Sequence, residues 1–387
     1  MSGEQRLRIG YIPLVDAAAL IVAVDKGLAA AQGLDVDLAR EVSWSNVRDK
    51  LNIGLLDAAH LLSPVAIASS LGLGHVRVPL VAPFNLGLNG NAITVAPALF
   101  GALADAAEGT LADPLVSARA LARVVAQRKR RAAEPLAWGM TFPFSNHNYQ
   151  LRLWMAAGGV DPDEDVRLVV LPPPYMVESL ASGHVDGFCV GAPWNSVAVD
   201  MGVGRILHFG CEIVARCSEK VLAVREQWAS RHPALVGRLV RALAGAAAFV
   251  AEPANRPEVA RLVAPRLGVR PEVIARTLAG TLKVSHDGVE RTNGRYLLIG
   301  GAGQNRPDPM QAAWLYAQMV RWSQAPLSDD LLAAAGAVFR PGLYDAALGS
   351  REESAGDKPA DGIGAFAGPA FDPARIADLA GPNVARA

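Results

Sequence analysis

The sequence lacks the short motifs that mark most enzyme active sites. Its 387 residues contain no phosphate-binding loop of either standard form, because the Gly-rich stretches 87–91 and 300–303 do not have the required spacing. Gly-x-Ser-x-Gly and His-Glu-x-x-His are also missing. These absences predict a protein that is not an enzyme and that uses no cofactor and no metal.

Cysteine and net charge are also scarce. The three cysteines, Cys189, Cys211 and Cys217, show no metal-ligand spacing and suit a reducing compartment. Basic and acidic residues number 37 each, so the chain lacks the broad positive charge that direct nucleic-acid binding requires. The basic run 128–131 follows an Ala-rich segment and is typical of a helix C-terminal turn. A contact surface for an acidic partner is the alternative for that run.

Long hydrophobic runs are missing too. We find no apolar run approaching about 18 residues, which predicts that nothing spans or contacts a membrane. The N-terminus imitates a signal peptide, but Pro13 and Asp16 interrupt its apolar segment. We therefore expect a strand over residues 7–12, an amphipathic helix over residues 17–32, and a cytoplasmic protein.

What the chain does contain is an alternation of short apolar strands and amphipathic helices. Five such elements over residues 7–61 predict parallel strand pairing with helices on both faces of a sheet. We predict an α/β fold with two lobes, each a mainly parallel sheet flanked by helices. Lobe I comprises residues 1–94 and 216–345, the inserted lobe II residues 95–215, and the partly flexible C-terminal tail residues 346–387. Within that tail, Asp372 is expected to cap a short helix over residues 372–379.

The stretch around residue 145 shows a clear transition from strand to helix. Ser145 and Asn146 form a polar turn that can cap a helix, and apolar residues recur at helical spacing from Leu151 onward. His147 lies in the first turn of that helix. Such a terminus presents unpaired N–H groups and a positive dipole end, which favour a small anion. An ordinary capped helix with a solvated histidine is the alternative.

Three further candidates stand beside predicted strand ends, where open α/β sheets bind ligands. Trp44 lies in the predicted loop 42–45, and Asn91 follows the predicted loop 83–90. Lys220 precedes the strand that returns the chain to lobe I. Taken singly, Trp44 is typical of a surface or half-buried aromatic residue, and Lys220 of a solvated charge.

Taken together and in order, these stretches resemble a known family. The resemblance is carried by residues 9–16, 43–49, 57–60, 89–93, 140–147, 153–159, 172–176, 188–195 and 219–220. From about residue 8 to about residue 340 the chain resembles the nitrate-binding proteins of the NrtA type, which are relatives of periplasmic solute-binding proteins. This resemblance implies a clamp of the type II periplasmic-binding-protein kind.

The resemblance implies a receptor. The absence of a signal peptide makes the chain similar to NasS-type cytoplasmic nitrate/nitrite sensors. Such sensors hold a NasT-type ANTAR antiterminator, an RNA-binding protein that controls nitrate assimilation genes, inactive until the anion arrives. One alternative is the substrate-binding component of an ABC nitrate/nitrite importer. A second is an enzyme resembling thiamine-pyrimidine synthases, whose Cys-rich iron motif does not occur here.

The resemblance also implies the ligand-binding residues. Family nitrate sites use a tryptophan, a glutamine, a histidine and a lysine, and the corresponding positions here are Trp44, Asn91, His147 and Lys220. In that arrangement Lys220 supplies positive charge, Asn91 and His147 donate hydrogen bonds, and Trp44 offers a flat wall or its N–H. Bicarbonate binders of the family carry an acidic residue at the lysine position and recruit a metal. Lys220 therefore favours nitrate or nitrite, Glu219 is expected outside that position, and Asn91 in place of glutamine leaves the preference between the two anions open.

Overall fold

The computed structural model describes residues 6–301, 303–349 and 362–379. The part of the predicted tail that was expected to be flexible, residues 350–361, lies outside the described residues. The strands of the described part are β1 (Leu7–Tyr11), β2 (Val36–Arg40), β3 (Ala58–Leu62), β4 (Leu80–Asn89), β5 (Asn91–Val95), β6 (Ala137–Met140), β7 (Arg167–Val170), β8 (Gly187–Gly191), β9 (Arg205–Phe209), β10 (Ser218–Arg225), β11 (Thr281–Lys283), β12 (Glu290–Thr292) and β13 (Leu297–Leu298).

Helices connect and flank these strands. They are α1 (Ala18–Asp25), α2 (Leu28–Ala31), α3 (Trp44–Asn52), α4 (Ser63–Leu71), α5 (Pro97–Ala106), α6 (Pro114–Arg130), α7 (Asn146–Ala157), α8 (Met176–Ala181), α9 (Trp194–Asp200), α10 (Gly210–Ile213), α11 (Glu226–Arg231), α12 (Pro233–Ala251), α13 (Arg256–Leu267), α14 (Pro271–Ala279), α15 (Pro309–Arg321), α16 (Asp329–Val338) and α17 (Pro341–Leu348). Short 3-10 helices cover Val15–Ala17, Pro173–Tyr175, Pro253–Asn255 and Pro373–Leu379.

Two sheets with flanking helices form two lobes. The sheet of the first lobe has the strand order β13-β4-β10-β3-β1-β2, and that of the second has the order β7-β6-β8-β5-β9. Both are mixed: β1 is parallel to β2 and β3, and β6 is parallel to β7 and β8. However, β10 is antiparallel to β3 and β4, and β5 is antiparallel to β8 and β9. The prediction of an α/β fold is confirmed, whereas that of mainly parallel sheets is wrong.

The antiparallel strands have a common origin. Each of β5 and β10 is the first strand that the chain forms after crossing from one lobe to the other. A parallel neighbour would require a crossover helix to return the chain to the same edge of the sheet. Neither strand has one, so each enters its new sheet running against its neighbours. Strand β5 belongs wholly to the second sheet, so the chain changes sheets at Gly90.

The two crossings are bonded to each other through Asn89. Its side-chain Nδ2 donates to Ala215 O at 3.2 Å, and its Oδ1 accepts from Cys217 N at 2.9 Å. The backbone N of Asn89 donates to Cys217 O, also at 2.9 Å. Next to it, Gly90 has φ +92°, and a Cβ there would lie 2.8 Å from Leu297 Cδ1. The outgoing and returning segments therefore form one joined connection.

Several local predictions are confirmed and others are corrected. Residues 7–25 form a buried strand and helix, but Gly27 with φ +72° ends the first helical segment, so residues 17–32 are not one helix. Residues 83–89 of the predicted loop 83–90 belong to the continuous strand β4, whose residues are all buried. Helix α6 ends at Arg130, which confirms the basic run as a C-terminal turn.

One helix in the described residues, α12, is long and apolar enough to cross a membrane by length and composition. The sequence does not single out this helix as an apolar run, because Arg238 and Arg241 interrupt its apolar residues. In the fold this helix packs on α1 and α17 through buried residues such as Leu239 and Leu243. Arg238 and Arg241 lie on its exposed side. It is thus an amphipathic core helix of the first lobe.

The C-terminal segment 362–379 packs on the body of the molecule. Phe366 N donates to Ile213 O at 2.8 Å, and the ring of Phe371 contacts that of Trp314 at 5.4 Å between centroids. The predicted short helix is present as a 3-10 helix, and Asp372 Oδ1 accepts from Ala374 N at 2.9 Å at its start.

Candidate functional site between the lobes

The fold places several strand ends at one edge, where the two lobes meet. Strands β1, β3 and β6 run with their carboxyl ends toward that edge, while the reversed strands β5 and β10 begin there. Asn91 is the first residue of β5, and Lys220 is the third residue of β10. Ligands of α/β sheets bind outside the carboxyl ends of strands, and here the amino ends of two reversed strands join the same place.

The four predicted site residues all lie in one buried cluster at this edge. Trp44 is only 1% exposed, and Asn91, His147 and Lys220 are fully buried. Trp44 is the first residue of α3, capped by Ser43, so its predicted place in an exposed loop is wrong. The Lys220 Nζ atom lies 5.3 Å from the centroid of the Trp44 ring. Asn91 and His147 approach Lys220 through the carboxylate of Glu219.

Glu219 occupies the centre of the cluster. Its Oε1 accepts from Lys220 Nζ at 2.8 Å, and its Oε2 accepts from Asn91 Nδ2 at 2.8 Å. His147 Nε2 lies 3.5 Å from Oε1 without hydrogen-bond geometry. Neighbouring residues of a regular strand point to opposite faces, but the pairing of β10 with β4 shifts register on both sides of Lys220. This β-bulge brings the side-chain ends of Glu219 and Lys220 together, so Glu219, which was not predicted as a site residue, lies within the cluster.

Asp16, His60 and Gln150 complete the cluster and were not predicted from the sequence. Asp16 Oδ2 lies 3.0 Å from Lys220 Nζ, and its Oδ1 lies 2.8 Å from His60 Nε2. Gln150 Oε1 accepts from Asn91 Nδ2 at 3.3 Å. A signal for Gln150 was available, because residues three apart on a helix share a face and Gln150 follows His147 by that interval. A glutamine therefore contributes to the cluster from α7 although position 91 carries asparagine.

Helix α7 positions its residues by the predicted capping. Ser145 Oγ accepts from Asn148 N at 3.1 Å, which confirms the predicted helix start and places His147 in the first turn. Thr141 Oγ1 lies 2.9 Å from His147 Nδ1 and fixes the orientation of the ring. Asn146 Nδ2 donates to Ser218 O at 2.8 Å, which ties the start of α7 to β10. The contact between Asn146 and Ser218 therefore joins the second lobe to the first.

Burial and charge set the protonation of the cluster. Burial alone would raise the pKa of Asp16, but Lys220 and His60 lower it to about 2. Burial opposes the charged form of Lys220, yet Asp16 and Glu219 raise its pKa. Burial lowers the pKa of His147 to about 4, with partial compensation from Glu219. At neutral pH the cluster therefore combines one ammonium with neutral imidazole at His147, and Asp16 is ionised.

Five side chains of the cluster retain polar atoms without a hydrogen-bond partner in the described part of the chain. They are the Nε1 of Trp44, the Nδ1 of His60, the Oδ1 of Asn91, the Nε2 of His147 and the Nε2 of Gln150. A buried polar atom without a partner costs about 1–3 kcal/mol, so such atoms are uncommon unless something else satisfies them. The Trp44 indole and the Gln150 amide carry N–H groups, which require an acceptor. No group of three or more His, Cys, Asp or Glu residues in the described ranges is arranged to hold a metal.

Comparison with known proteins agrees with this architecture. Residues 2–264 match the model of the NMT1-like family, and the chain belongs to that family. It is 35% identical over 347 residues to the "Bicarbonate transport ATP-binding protein CmpC" of Synechococcus elongatus, and 32% identical over 342 residues to the "Nitrate import ATP-binding protein NrtC" of Synechocystis. These matches cover 88% and 87% of this chain, but the chain spans only 49% of the length of either relative.

Two binding proteins are matched over most of their length. The chain is 29% identical over 378 residues to the "Nitrate/nitrite binding protein NrtA" of Synechococcus elongatus, covering 94% of this chain and 83% of that protein. The crystal structure of the periplasmic nitrate-binding protein NrtA from Synechocystis PCC 6803 superposes with a TM-score of 0.86 at 26% identity, covering 97% of this chain and 98% of that one. This match confirms the predicted periplasmic-binding-protein-like fold.

Proposed function

We propose that this protein is an NrtA-like solute-binding protein that takes nitrate or nitrite between its lobes and serves as the binding component of an ABC-type importer. The proposal makes the four predicted residues Trp44, Asn91, His147 and Lys220 the ligand-binding residues, joined by Gln150. It is supported by the similarity to NrtA and by the transport proteins among the other relatives.

One observation of the structure carries the proposal. The cluster is contributed by both lobes, it is buried, and it contains N–H groups that lack acceptors. A planar oxyanion accepts hydrogen bonds and donates none, so it suits the N–H groups of Trp44 and Gln150. The flat indole and the nearby Lys220 ammonium add a wall and a charge.

The cytoplasmic sensor remains a second proposal. It rests on the sequence resemblance to NasS-type proteins, and its partner would be a NasT-type ANTAR antiterminator. In that case anion binding would favour one arrangement of the lobes and the partner another, so that each would weaken the binding of the other. The similar transport proteins favour the importer component.

Isothermal titration calorimetry tests the ligand. The purified protein is titrated with nitrate, nitrite and bicarbonate, the last with and without calcium, beside the variant Trp44→Phe. This variant keeps the aromatic wall but removes the N–H donor. We expect binding of nitrate or nitrite that weakens about tenfold in Trp44→Phe, the equivalent of about 1.4 kcal/mol.

Trp138→Phe is the matched control, because its indole Nε1 is also buried without a partner but lies in the core of the second lobe. Its anion affinity should equal that of the unmodified protein. Binding of bicarbonate alone would contradict the proposed ligand, and equal losses in both variants would contradict the proposed site. Detection of the native protein outside the cytoplasm would favour the importer component, whereas an anion-sensitive complex with an antiterminator would favour the sensor.

A further inference from the structure

The carboxylate of Glu219 lies at the centre of the predicted ligand-binding residues. It accepts hydrogen bonds from Lys220 and Asn91, both at 2.8 Å, and its Oε1 faces His147 Nε2 at 3.5 Å. Three of the four residues that the sequence assigns to the anion therefore surround this one side chain. The fourth, Trp44, faces Lys220.

A carboxylate has the shape and the hydrogen-bonding character that the site would recognise in its ligand. It is planar, it carries one negative charge shared between two oxygens, and it accepts hydrogen bonds only. Nitrite and one edge of nitrate present the same pair of oxygens. Glu219 therefore stands where an incoming oxyanion would receive its hydrogen bonds from Asn91 and its charge from Lys220.

Charge makes joint occupation unfavourable. Lys220 already has two carboxylate partners, Asp16 at 3.0 Å and Glu219 at 2.8 Å. The imidazoles that face the cluster, His60 and His147, have pKa values lowered by burial and add no charge at neutral pH. A free anion beside an undisplaced Glu219 would place three negative groups around one buried ammonium, where charge interactions are screened less than in water.

Glu219 also joins the lobes. It belongs to β10 of the first sheet, whereas its partner Asn91 begins β5 of the second. The hydrogen bond between them therefore closes the cleft with a group of the protein itself.

We propose that Glu219 is an internal competitor for the anion, a side chain that occupies the ligand position, holds the lobes together and must be displaced before nitrate or nitrite can bind. This inference rests on the proposed function, and it states that Glu219 sets the affinity of the protein for nitrate or nitrite. The anion and the Glu219 carboxylate use the same hydrogen-bond donors. The measured affinity therefore reflects the free energy of the anion's contacts minus that of the Glu219 contacts it replaces.

Calorimetry with nitrate and nitrite on Glu219→Gln tests this inference. The variant keeps the size of the side chain and removes its charge, so we expect at least tenfold tighter anion binding than in the unmodified protein. Glu41→Gln is the matched control, because Glu41 is a buried glutamate whose two oxygens accept from one lysine, Lys50, outside the cluster. It should leave anion affinity unchanged. If Glu219→Gln does not fold, Glu219→Ala is titrated in its place with the same expected result.

The possible outcomes are distinct. Tighter binding in a Glu219 variant and not in Glu41→Gln supports internal competition. Equal or weaker binding in a folded Glu219 variant, when the unmodified protein does bind, overturns the inference and leaves the proposed function intact. Absence of nitrate and nitrite binding from every protein overturns both. Small-angle scattering adds a second criterion, since ligand-free Glu219→Ala should be more extended than ligand-free Glu41→Gln, and equal dimensions would contradict the closing role of Glu219.

Discussion

Removal of the buried ammonium of Lys220 should destabilise the fold by an amount that depends on pH. The Nζ atom lies 3.0 Å from Asp16 Oδ2 and 2.8 Å from Glu219 Oε1, and the whole side chain is buried. The variant Lys220→Met fills most of the same volume but leaves two carboxylates facing each other. Breaking a buried ion pair in this way costs about 3–5 kcal/mol.

The cost has an upper bound, because an uncompensated carboxylate can take up a proton. For Asp16, whose ordinary pKa is 3.8, protonation at pH 7 costs about 4.4 kcal/mol, at about 1.36 kcal/mol per pH unit. The destabilisation of Lys220→Met should therefore be about 3–4 kcal/mol at pH 7 and should shrink by about 1.4 kcal/mol for each unit of pH down to about pH 4. Adding Glu219→Gln removes one of the carboxylates and should recover part of the loss.

Urea unfolding at pH 7, 6 and 5 measures this difference, with tryptophan fluorescence and circular dichroism as independent probes of one transition. Lys26→Met is the matched control, since Lys26 also pairs with a glutamate, Glu258, but the side chain of that glutamate is 43% exposed and stays hydrated when the lysine is removed. Its loss should stay below about 1 kcal/mol at every pH. A loss in Lys220→Met that is equally small, or that does not change with pH, would refute the reasoning.

Two further predictions concern stability. Burial lowers the pKa of His147 from 6.5 to about 4, so the unfolded chain binds more protons than the folded chain between these pH values. The free energy of unfolding should therefore fall as pH falls from 6.5 to 4. In His147→Gln, urea unfolding should show this pH-dependent loss reduced by up to roughly 3 kcal/mol. A Cβ at Gly158 would lie 2.2 Å from the backbone O of Ala118, so Gly158→Ala should lower the free energy of unfolding by about 1–3 kcal/mol. Its control, Gly245→Ala in the interior of α12, meets no atom within 4 Å and should not destabilise. An unchanged pH profile in His147→Gln, or equal effects of the two glycine substitutions, would contradict the respective prediction.

Local signals in the sequence predicted local structure well. The cap at Ser145, the helix after it and the basic C-terminal turn of α6 depend on residues within a few positions of one another. The direction of β5 and β10 depends instead on how strands from distant parts of the chain pair, which alternation of apolar residues does not encode. For that reason the sequence predicted an α/β fold but not the mixed sheets.

The same distinction applies to the site. Trp44, Asn91, His147 and Lys220 stand near strand ends, but only the resemblance to a known family assigned all four of them to one site. Glu219 is the immediate neighbour of Lys220, and strand alternation predicts that it points away from the cleft. Only the register shifts of β10 against β4 reveal that it does not. A β-bulge between strands far apart in sequence leaves no local signature, so this residue required the structure.

The joined crossings also determine how the two lobes can turn. Asn89 forms hydrogen bonds from the outgoing segment to residues 215 and 217 of the returning segment, so the two segments form a single hydrogen-bonded connection between the lobes. Asn91 lies two residues beyond Asn89, and His147 lies on α7 of the second lobe. Asn91 and His147 both belong to the second lobe, so a rotation about this connection would move Asn91, which lies beside it, less than residues of that lobe farther away. The hydrogen bond from Asn91 to Glu219 therefore stands directly beside the connection through which the two lobes are joined.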